Sequence, residues 1–385
     1  MRVTFPHMGN CWPAFKVLCT GVGAEVYLPD PNNATQLKTG LKHSPEWVCF
    51  PFKVTLSNFI EALDDGVEHI VMATDCGPCR FGFYYAVQER ILKDMGYDFK
   101  MYYLPQGDLL DFKWVKLLKK LSTDKSLLNY FRIFRTARLF LMKAQLIQTI
   151  EKLEGLTRCY EVNKGDTTEV LDKCIMMVDK SNSFSSLKRC RKQIKKEFAS
   201  IETDKKDKND VLKVGLTGEI QVTLDPFVNH DIKRKLGELG CEVHMNLSLY
   251  DWIKHKFHVN FHRKYLEYLN KSHKNIGGLQ MDIGGEAFWV MGEYIDYAQK
   301  GFDGFVHIYP FTCMPEITAK SILTKWYGDG HFDVPPIFFG FDEHSGEAGM
   351  VTRLESYVDL LKNMKLKKKD NKNKEPLLIH SIKNK

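Results

Sequence analysis

Segments typical of strands and segments typical of helices alternate over two stretches of this chain, and this alternation limits its possible folds more than any other feature. In the first stretch the predicted strands are 3–5, 25–28, 69–73 and 99–104, and the predicted helices are 13–20, 53–63 and 80–95. Strands separated by helices of this length pair in parallel, because each helix carries the chain back along the sheet. Residues 1–105 therefore predict an α/β lobe built on a parallel sheet.

The alternation stops near residue 106 and resumes near residue 211. Helical periodicity dominates in between, and a charged run at 202–210 is typical of a linker. The second stretch contains predicted strands 211–217, 242–245, 304–309 and 336–341 and predicted helices 228–239, 249–269, 286–297, 313–323 and 349–361. We therefore predict an α/β protein with a first lobe (1–105), a helical insert (106–210), a second lobe (211–361) and a tail (362–385).

The formal net charge of +7 is concentrated at one end of the chain. Nine lysines between residues 362 and 385 face only Asp370 and Glu375, so the remainder of the chain is neutral. Such a lysine-rich terminus is typical of a flexible, disordered segment, and it predicts no nucleic-acid partner. Basic and aromatic residues also alternate at 130–135, but helical spacing puts them on different faces, which predicts a core side and a solvent side.

The sequence also bears on the cellular compartment. No stretch approaches the roughly 20 apolar residues of a membrane span, and the N-terminus runs directly into a strand-like segment without an apolar signal region. Ten cysteines in such a chain favour reduced thiols over a disulfide scaffold. We therefore expect a cytoplasmic protein with no membrane partner.

Three of the cysteines lie in similar local settings although they are far apart in sequence. Cys49, Cys79 and Cys313 each have a proline or glycine nearby, and each leads into a predicted helix. The N-terminus of a helix presents unpaired N–H groups and positive partial charge, which favour a thiolate. Because ligands collect beyond the carboxyl ends of parallel strands, two facing lobes would bring these three residues to one site.

Several interpretations of these cysteines are open. Three converging thiolates need a cation, and an iron–sulfur cluster bound by three cysteines would leave one iron open to another ligand. The run Cys76-Gly77-Pro78-Cys79 also matches a thioredoxin-type dithiol. Zinc normally uses two close cysteine pairs, whereas this chain has one, and purely structural cysteines are the fourth alternative.

Four motifs resemble those of one known family. They are Cys49-Phe50-Pro51-Phe52-Lys53, Gly77-Pro78-Cys79-Arg80-Phe81-Gly82, Pro310-Phe311-Thr312-Cys313-Met314-Pro315-Glu316 and Asp342-Glu343-His344-Ser345-Gly346-Glu347-Ala348-Gly349. In this order they resemble the 2-hydroxyacyl-CoA dehydratase superfamily, and in particular the acyl-CoA dehydratase activase-related (CoA protein activase) branch, a relative of the double-cubane cluster proteins. The resemblance covers about residues 1–104 and 212–361 and leaves out the insert and the tail.

The resemblance implies two flavodoxin-like or Rossmann-like lobes with an oxygen-sensitive iron–sulfur cluster between them. The cluster would be a [4Fe–4S] or a double cubane held by Cys49, Cys79 and Cys313, with Cys76 as a possible additional ligand. A separate ATP-dependent activase with its own cluster would supply low-potential electrons. The partner in the assembly would be a second copy or a related dehydratase subunit.

The resemblance leaves two roles open for the chain itself. It implies an iron–sulfur reductase or dehydratase acting on a small substrate or an acyl-CoA, or a non-enzymatic electron-transfer or assembly partner in such a system. The chain lacks the phosphate-binding loop Gly-x4-Gly-Lys-Ser/Thr, so we do not expect it to be the ATPase.

Polar residues near the motifs are candidates for supporting roles. Arg80 follows Cys79 and would neutralise cluster charge or face solvent. His344 and Glu347 lie in a glycine-containing turn after a predicted strand and are candidate proton donors. Glu219 follows the first strand of the second lobe and would face the cleft or cap a turn, whereas Glu316 is predicted to cap its helix.

Overall fold

The computed structural model describes residues 1–74, 79–104, 112–122, 126, 128–205, 207, 209–256, 276–281 and 283–382. Cys76 and the second half of the predicted helix 249–269 lie outside the described residues. Within the described part, eight strands form two four-stranded sheets in which all pairs are parallel. The predicted α/β architecture with two parallel-sheet lobes is therefore confirmed.

The first lobe contains the sheet order β2-β1-β3-β4. Its strands are β1 (Arg2–Thr4), β2 (Glu25–Val26), β3 (His69–Ala73) and β4 (Lys100–Leu104), and its helices are α1 (Trp12–Thr20), α2 (Ala34–His43), α3 (Phe50–Asp64) and α4 (Phe81–Asp94). Helix α2 was not predicted from the sequence. The helix follows Asn33, whose side chain accepts hydrogen bonds from the N–H groups of Thr35 and Gln36 at 3.0 Å each, a standard N-cap arrangement.

The second lobe repeats this arrangement with the order β6-β5-β7-β8. Its elements are β5 (Leu212–Gly218), α9 (Ile220–Leu224), α10 (Ile232–Glu238), β6 (Cys241–His244), α11 (Leu249–Lys256), α12 (Ala287–Gln299), β7 (Gly304–Pro310), α13 (Met314–Gly328), β8 (Pro336–Phe341) and α14 (Glu347–Ile382). Every residue of β7 is buried, as expected for a central strand with helices on both faces. The five-residue helix α9 was not predicted from the sequence either.

The insert is helical, as predicted, and it packs on both lobes. It consists of α5 (Lys113–Leu121), α6 (Leu128–Thr157), α7 (Asp166–Lys180) and α8 (Phe184–Ala199). Helix α6 contacts α1 of the first lobe and both β6 and α11 of the second. At Gly155 a Cβ would lie 2.3 Å from the Val243 carbonyl oxygen, so only glycine allows α6 to approach β6 this closely. The insert therefore joins the two lobes.

The aromatic residues at the start of α6 do not form the core side that the sequence predicts. Phe131 is 74% exposed and Phe134 is 48% exposed. Ile133 and Thr136 are buried instead. The side of the helix that faces the core is therefore formed by neither the aromatic nor the basic residues. The prediction of a buried aromatic face is wrong, and α6 presents apolar side chains on its outer surface.

The last helix continues past residue 361, where the sequence predicts its end. Lys365 donates hydrogen bonds to the Val211 carbonyl oxygen at 2.8 Å and to the Asp303 carboxylate at 2.9 Å. These bonds attach the first turns of the lysine-rich segment to the second lobe. In the described part of the chain, no helix is long and apolar enough to cross a membrane.

Two close contacts connect the first lobe directly to the second. Gly9, at the start of a short turn that leads into α1, has φ +46°, and a Cβ there would lie 1.9 Å from the Leu224 carbonyl oxygen. Lys53 of α3 forms an ion pair with Glu343, and the two side chains are only 4% and 13% exposed. Lys53 also donates to the Glu46 carbonyl oxygen at 3.0 Å. The ion pair joins two of the motifs, because Lys53 belongs to the motif of Cys49 and Glu343 to the motif at 342–349.

Candidate functional site

The three predicted cysteines lie at the start of helices and line one cavity. Cys49 is the residue before α3, Cys313 is the residue before α13, and Cys79 comes two residues before α4. Cys49 and Cys313 are buried and Cys79 is partly exposed. The cavity that they share has a volume of about 530 Å³. The structure thus brings together residues that are up to 264 positions apart in sequence.

The strand order explains why these residues meet. In each lobe the chain reverses its direction of winding beside the first strand, so crevices open between β1 and β3 and between β5 and β7. Cys79 follows β3, Glu219 follows β5 and Cys313 follows β7. The cavity therefore lies at the switch points of both sheets, where α/β proteins usually bind ligands.

The walls of the cavity are mostly apolar. The apolar lining comes from both lobes and from the insert: Met8, Phe15, Leu18, Pro51, Ala73, Phe81, Tyr84, Leu104, Trp114, Leu117, Leu118, Phe134, Ala137, Phe140, Leu141, Ile220, Leu249, Trp252, Ile253 and Pro310. Besides the cysteines, the polar lining consists of Glu219, Gln221, Glu286 and Arg138. The cavity is therefore an apolar space with two carboxyl groups, those of Glu219 and Glu286, and one guanidinium group, that of Arg138.

Burial changes the protonation expected for the Cys313 thiol. The pKa of Cys313 is raised well above its usual value, mainly by burial and further by Glu316 and Glu219. The start of a helix favours a thiolate, as the sequence predicts, but here the cost of burying a charge is larger. Burial raises the pKa of Tyr84 well above its usual value, and the nearby Cys49 contributes to the same shift. Without a bound cation, Cys313 is therefore a neutral thiol.

Two carboxyl groups near the cysteines, those of Glu219 and Glu316, also hold a proton near pH 7. Glu219 accepts a hydrogen bond from the Val222 N–H at 2.9 Å, and its pKa is raised to about 8 by burial and by Glu286. Burial also raises the pKa of Glu316 to about 8. Its Oε2 lies 2.5 Å from Nε2 of His307, whose pKa burial lowers to about 3. Glu316 therefore contacts the central strand β7 and does not act as the predicted charged cap.

The donor set suits a soft metal centre. Thiolate ligands select iron–sulfur clusters, zinc and copper(I), and a cation that binds here would have to displace protons from the thiols. Among the described residues, no group of three or more His, Cys, Asp and Glu side chains is placed to hold a metal ion. In a polynuclear cluster each cysteine binds its own iron, so the thiols need to surround a volume and need not meet at a point.

Three of the other predicted site residues, Arg80, His344 and Glu347, lie outside the cavity. Arg80 is exposed and donates to the Trp47 carbonyl oxygen at 2.8 Å. His344 is exposed, and Glu347 is paired with Lys235 at 2.9 Å with its side chain 60% exposed. Of the four polar candidates in the motifs and the turns, only Glu219 lines the cavity.

Four cavity residues with polar groups were not predicted from the sequence: Gln221, which lies two residues after Glu219, and Glu286, Tyr84 and Arg138. Glu286 comes directly before α12 and accepts a hydrogen bond from the Trp252 indole N–H at 2.9 Å. Tyr84 lies about one turn beyond Cys79 on α4, a spacing that could have suggested it. Arg138 belongs to the insert, and no local signal connects it with the cysteines.

Comparison of the chain with protein-family models finds no match, and comparison with curated proteins finds none. The resemblance to the dehydratase superfamily thus depends on the four motifs. What the structure adds is the placement of three of their cysteines around one cavity.

A buried carboxyl group behind the cavity leads to a prediction about pH. Glu293 on α12 is 3% exposed, and burial raises its pKa to about 8, with further contributions from Asp251 and Asp296. The folded protein holds this proton up to about pH 8, whereas the unfolded chain loses it near its usual pKa of 4.5. The group therefore stabilises the fold fully below pH 4.5, and this stabilisation is lost as the pH rises towards 8.

We expect Glu293→Gln to reduce the pH dependence of stability, because the amide does not titrate. Between pH 5 and 8 the free energy of unfolding of the wild type should fall more steeply than that of the variant, by about 1.4 kcal/mol per pH unit. Urea unfolding at several pH values measures this difference. Glu355→Gln, at an exposed position of α14, is the matched control and should keep the wild-type slope. An unchanged slope in Glu293→Gln would contradict the assignment.

Proposed function

We propose that this protein binds an iron–sulfur cluster through Cys49, Cys79 and Cys313 and uses it in low-potential electron transfer. The observation that carries the proposal is the convergence of three cysteines, each at a helix start and drawn from both lobes, on one apolar cavity. Cysteine thiolates are the usual ligands of such clusters. The motif resemblance supports the same three residues. When bound, the cluster would supply a one-electron redox centre.

The residues around the cysteines have roles that follow from their contacts. The apolar lining excludes water, which lowers the local dielectric and strengthens charge interactions. Tyr84 lies beside Cys49 and holds its phenolic proton, so a hydrogen bond from its hydroxyl to the bound cluster would stabilise added negative charge and raise a reduction potential. Glu219 holds a proton at the cavity surface near neutral pH, so it can donate that proton to a reduced ligand.

As partner we propose an ATP-dependent activase with its own cluster, which would deliver the electrons. Exposed aromatic side chains next to each cysteine motif support the approach of another protein there: Trp47 is 71% exposed, Phe83 70% and Phe311 58%. The substrate would be a small molecule or an acyl-CoA. A second copy of the chain or a related subunit would complete the assembly.

A non-enzymatic role in electron transfer or assembly is the second candidate. The placement of His344 and Glu347 favours it, because neither of these predicted proton donors lines the cavity. The two roles differ in turnover. With activase, ATP and a candidate acyl-CoA or small substrate, an enzyme forms product over many cycles, whereas a carrier only becomes reduced and reoxidised.

Cluster binding is tested by anaerobic purification and reconstitution with iron and sulfide. We expect bound iron and sulfide with a charge-transfer absorbance spectrum, and most of both should be lost in Cys49→Ser, Cys79→Ser and Cys313→Ser, since serine is a poor ligand for these irons. Cys190→Ser is the matched control, since Cys190 is buried in α8 and does not line the cavity. Its iron content should equal that of the wild type.

Two results would overturn this assignment. One is a wild type that binds no iron on reconstitution but forms a reversible Cys76–Cys79 disulfide, which would support the dithiol alternative. The other is loss of iron in Cys76→Ser together with full iron in Cys49→Ser, which would show a different ligand set.

A further inference from the structure

We propose that the part of the cavity between α1, α5 and α6 binds an aliphatic or aromatic carboxylate whose carboxylate group pairs with Arg138. If this carboxylate is a substrate, its assignment rests on the proposed function. Binding itself does not require the cluster, so the two can be tested separately.

One face of α6 forms the wall of this part of the cavity. Phe134, Ala137 and Leu141 line it, and their spacing of three and four residues puts them on the same side of the helix. Trp114 and Leu118 of α5 line it as well, and the rings of Trp114 and Phe134 meet edge to face at 5.5 Å. A wall of this composition favours the hydrocarbon part of a ligand.

Arg138 lies on the same face of α6 and is the only cation among the described residues of the lining. It is exposed, and its guanidinium group lies 5.2 Å from the centre of the Phe184 ring. Within the described part of the chain it forms no ion pair with a carboxylate, which leaves its donors available. A guanidinium group matches a carboxylate in shape and charge and can donate two parallel hydrogen bonds to it.

The distribution of polar groups also orients the ligand. Glu219 and Glu286 lie among the residues at the cysteine end, where they offer no partner to an anion. Arg138 and the half-exposed Phe134 belong to the insert and reach the surface. The charged end of the ligand therefore lies at Arg138, and its apolar end points into the cavity towards the cysteines. The volume of about 530 Å³ is within the range of small-molecule sites.

The experiment measures binding of decanoate and of uncharged 1-decanol to the full chain by calorimetry, with and without bound iron. We expect the wild type to bind decanoate and Arg138→Gln to bind it about tenfold more weakly, with no change for 1-decanol, because only the ion pair is lost. Arg135→Gln is the matched control. Arg135 precedes Arg138 on α6, donates to the Asn182 carbonyl oxygen and does not line the cavity.

A second variant tests the location of the ligand site without changing the charge of Arg138. Ala137→Trp fills the cavity from a partly exposed position and should weaken both ligands. The proposal is overturned if decanoate does not bind, if Arg138→Gln and Arg135→Gln behave alike, or if Ala137→Trp binds both ligands as the wild type does. Decanoate binding to a protein that takes up no iron would refute the cluster and leave this site standing. Iron uptake by a protein that does not bind decanoate would refute this site and leave the cluster standing.

Discussion

Replacing Gly9 by alanine is expected to lower the free energy of unfolding by about 3–5 kcal/mol, because two costs add at this position. The backbone of Gly9 has φ +46°, which is unfavourable for a residue with a Cβ, and that Cβ would lie 1.9 Å from the Leu224 carbonyl oxygen. The backbone of the second lobe would have to move away from the first. Urea unfolding of the variant and the wild type measures the loss.

Gly96→Ala separates the cost of a positive φ from the cost of the steric overlap. Gly96 has φ +93°, and a Cβ there would meet nothing within 4 Å, so only the backbone cost remains. We expect this variant to lose about 1–2 kcal/mol. If the two variants lost the same free energy, the close approach of Gly9 to Leu224 would not contribute to the junction of the lobes.

Replacing Lys53 by methionine is expected to destabilise the protein by about 3–5 kcal/mol, because it leaves Glu343 charged and largely buried without a partner. The two side chains are 4% and 13% exposed, so water cannot compensate for the lost ion pair. Lys53 lies four residues after Cys49 on α3, and the variant should therefore also reduce iron retention. Urea unfolding and iron analysis measure the two effects.

The double variant Lys53→Met/Glu343→Met is the informative comparison. It removes both charges, and we expect it to recover most of the lost stability, since an apolar pair of similar size needs no compensation. Glu347→Gln is the control for an exposed pair. Its partner Lys235 lies 2.9 Å away and Glu347 is 60% exposed, so the change should be below about 1 kcal/mol. A double variant as unstable as Lys53→Met would contradict the assigned role of the pair.

The predicted elements agree with the structure where a local signal was strong. The strands predicted at 69–73 and 336–341 match β3 (His69–Ala73) and β8 (Pro336–Phe341), because each is a short apolar or aromatic run with clear ends. Helix α2 was missed because its residues give a weak pattern and its start depends on the Asn33 cap. At the start of α6 the helix was predicted but its buried face was not, since partners distant in sequence decide which side is covered.

In the candidate site, too, local signals were predicted from the sequence and contacts between distant segments were not. Proline and glycine neighbours placed Cys49, Cys79 and Cys313 at helix starts, and the order of strands and helices implied that the three would meet. The turn that contains His344 and Glu347 looked equally suited to a site, yet neither residue lines the cavity, and Glu347 pairs with Lys235 instead. A motif indicates local conformation, but it does not determine the direction in which a loop side chain faces.

By itself, therefore, the sequence determined the two parallel-sheet lobes, the helical insert and the helix starts that carry the cysteines, because periodicity, caps and proline act within a few residues. Only the tertiary structure decided that the insert joins the lobes, that Arg138 and Glu286 belong to the cavity, and that Cys313 and Glu219 hold their protons. Burial and charge depend on which distant segments surround a side chain, and that information is not present in any local stretch of the chain.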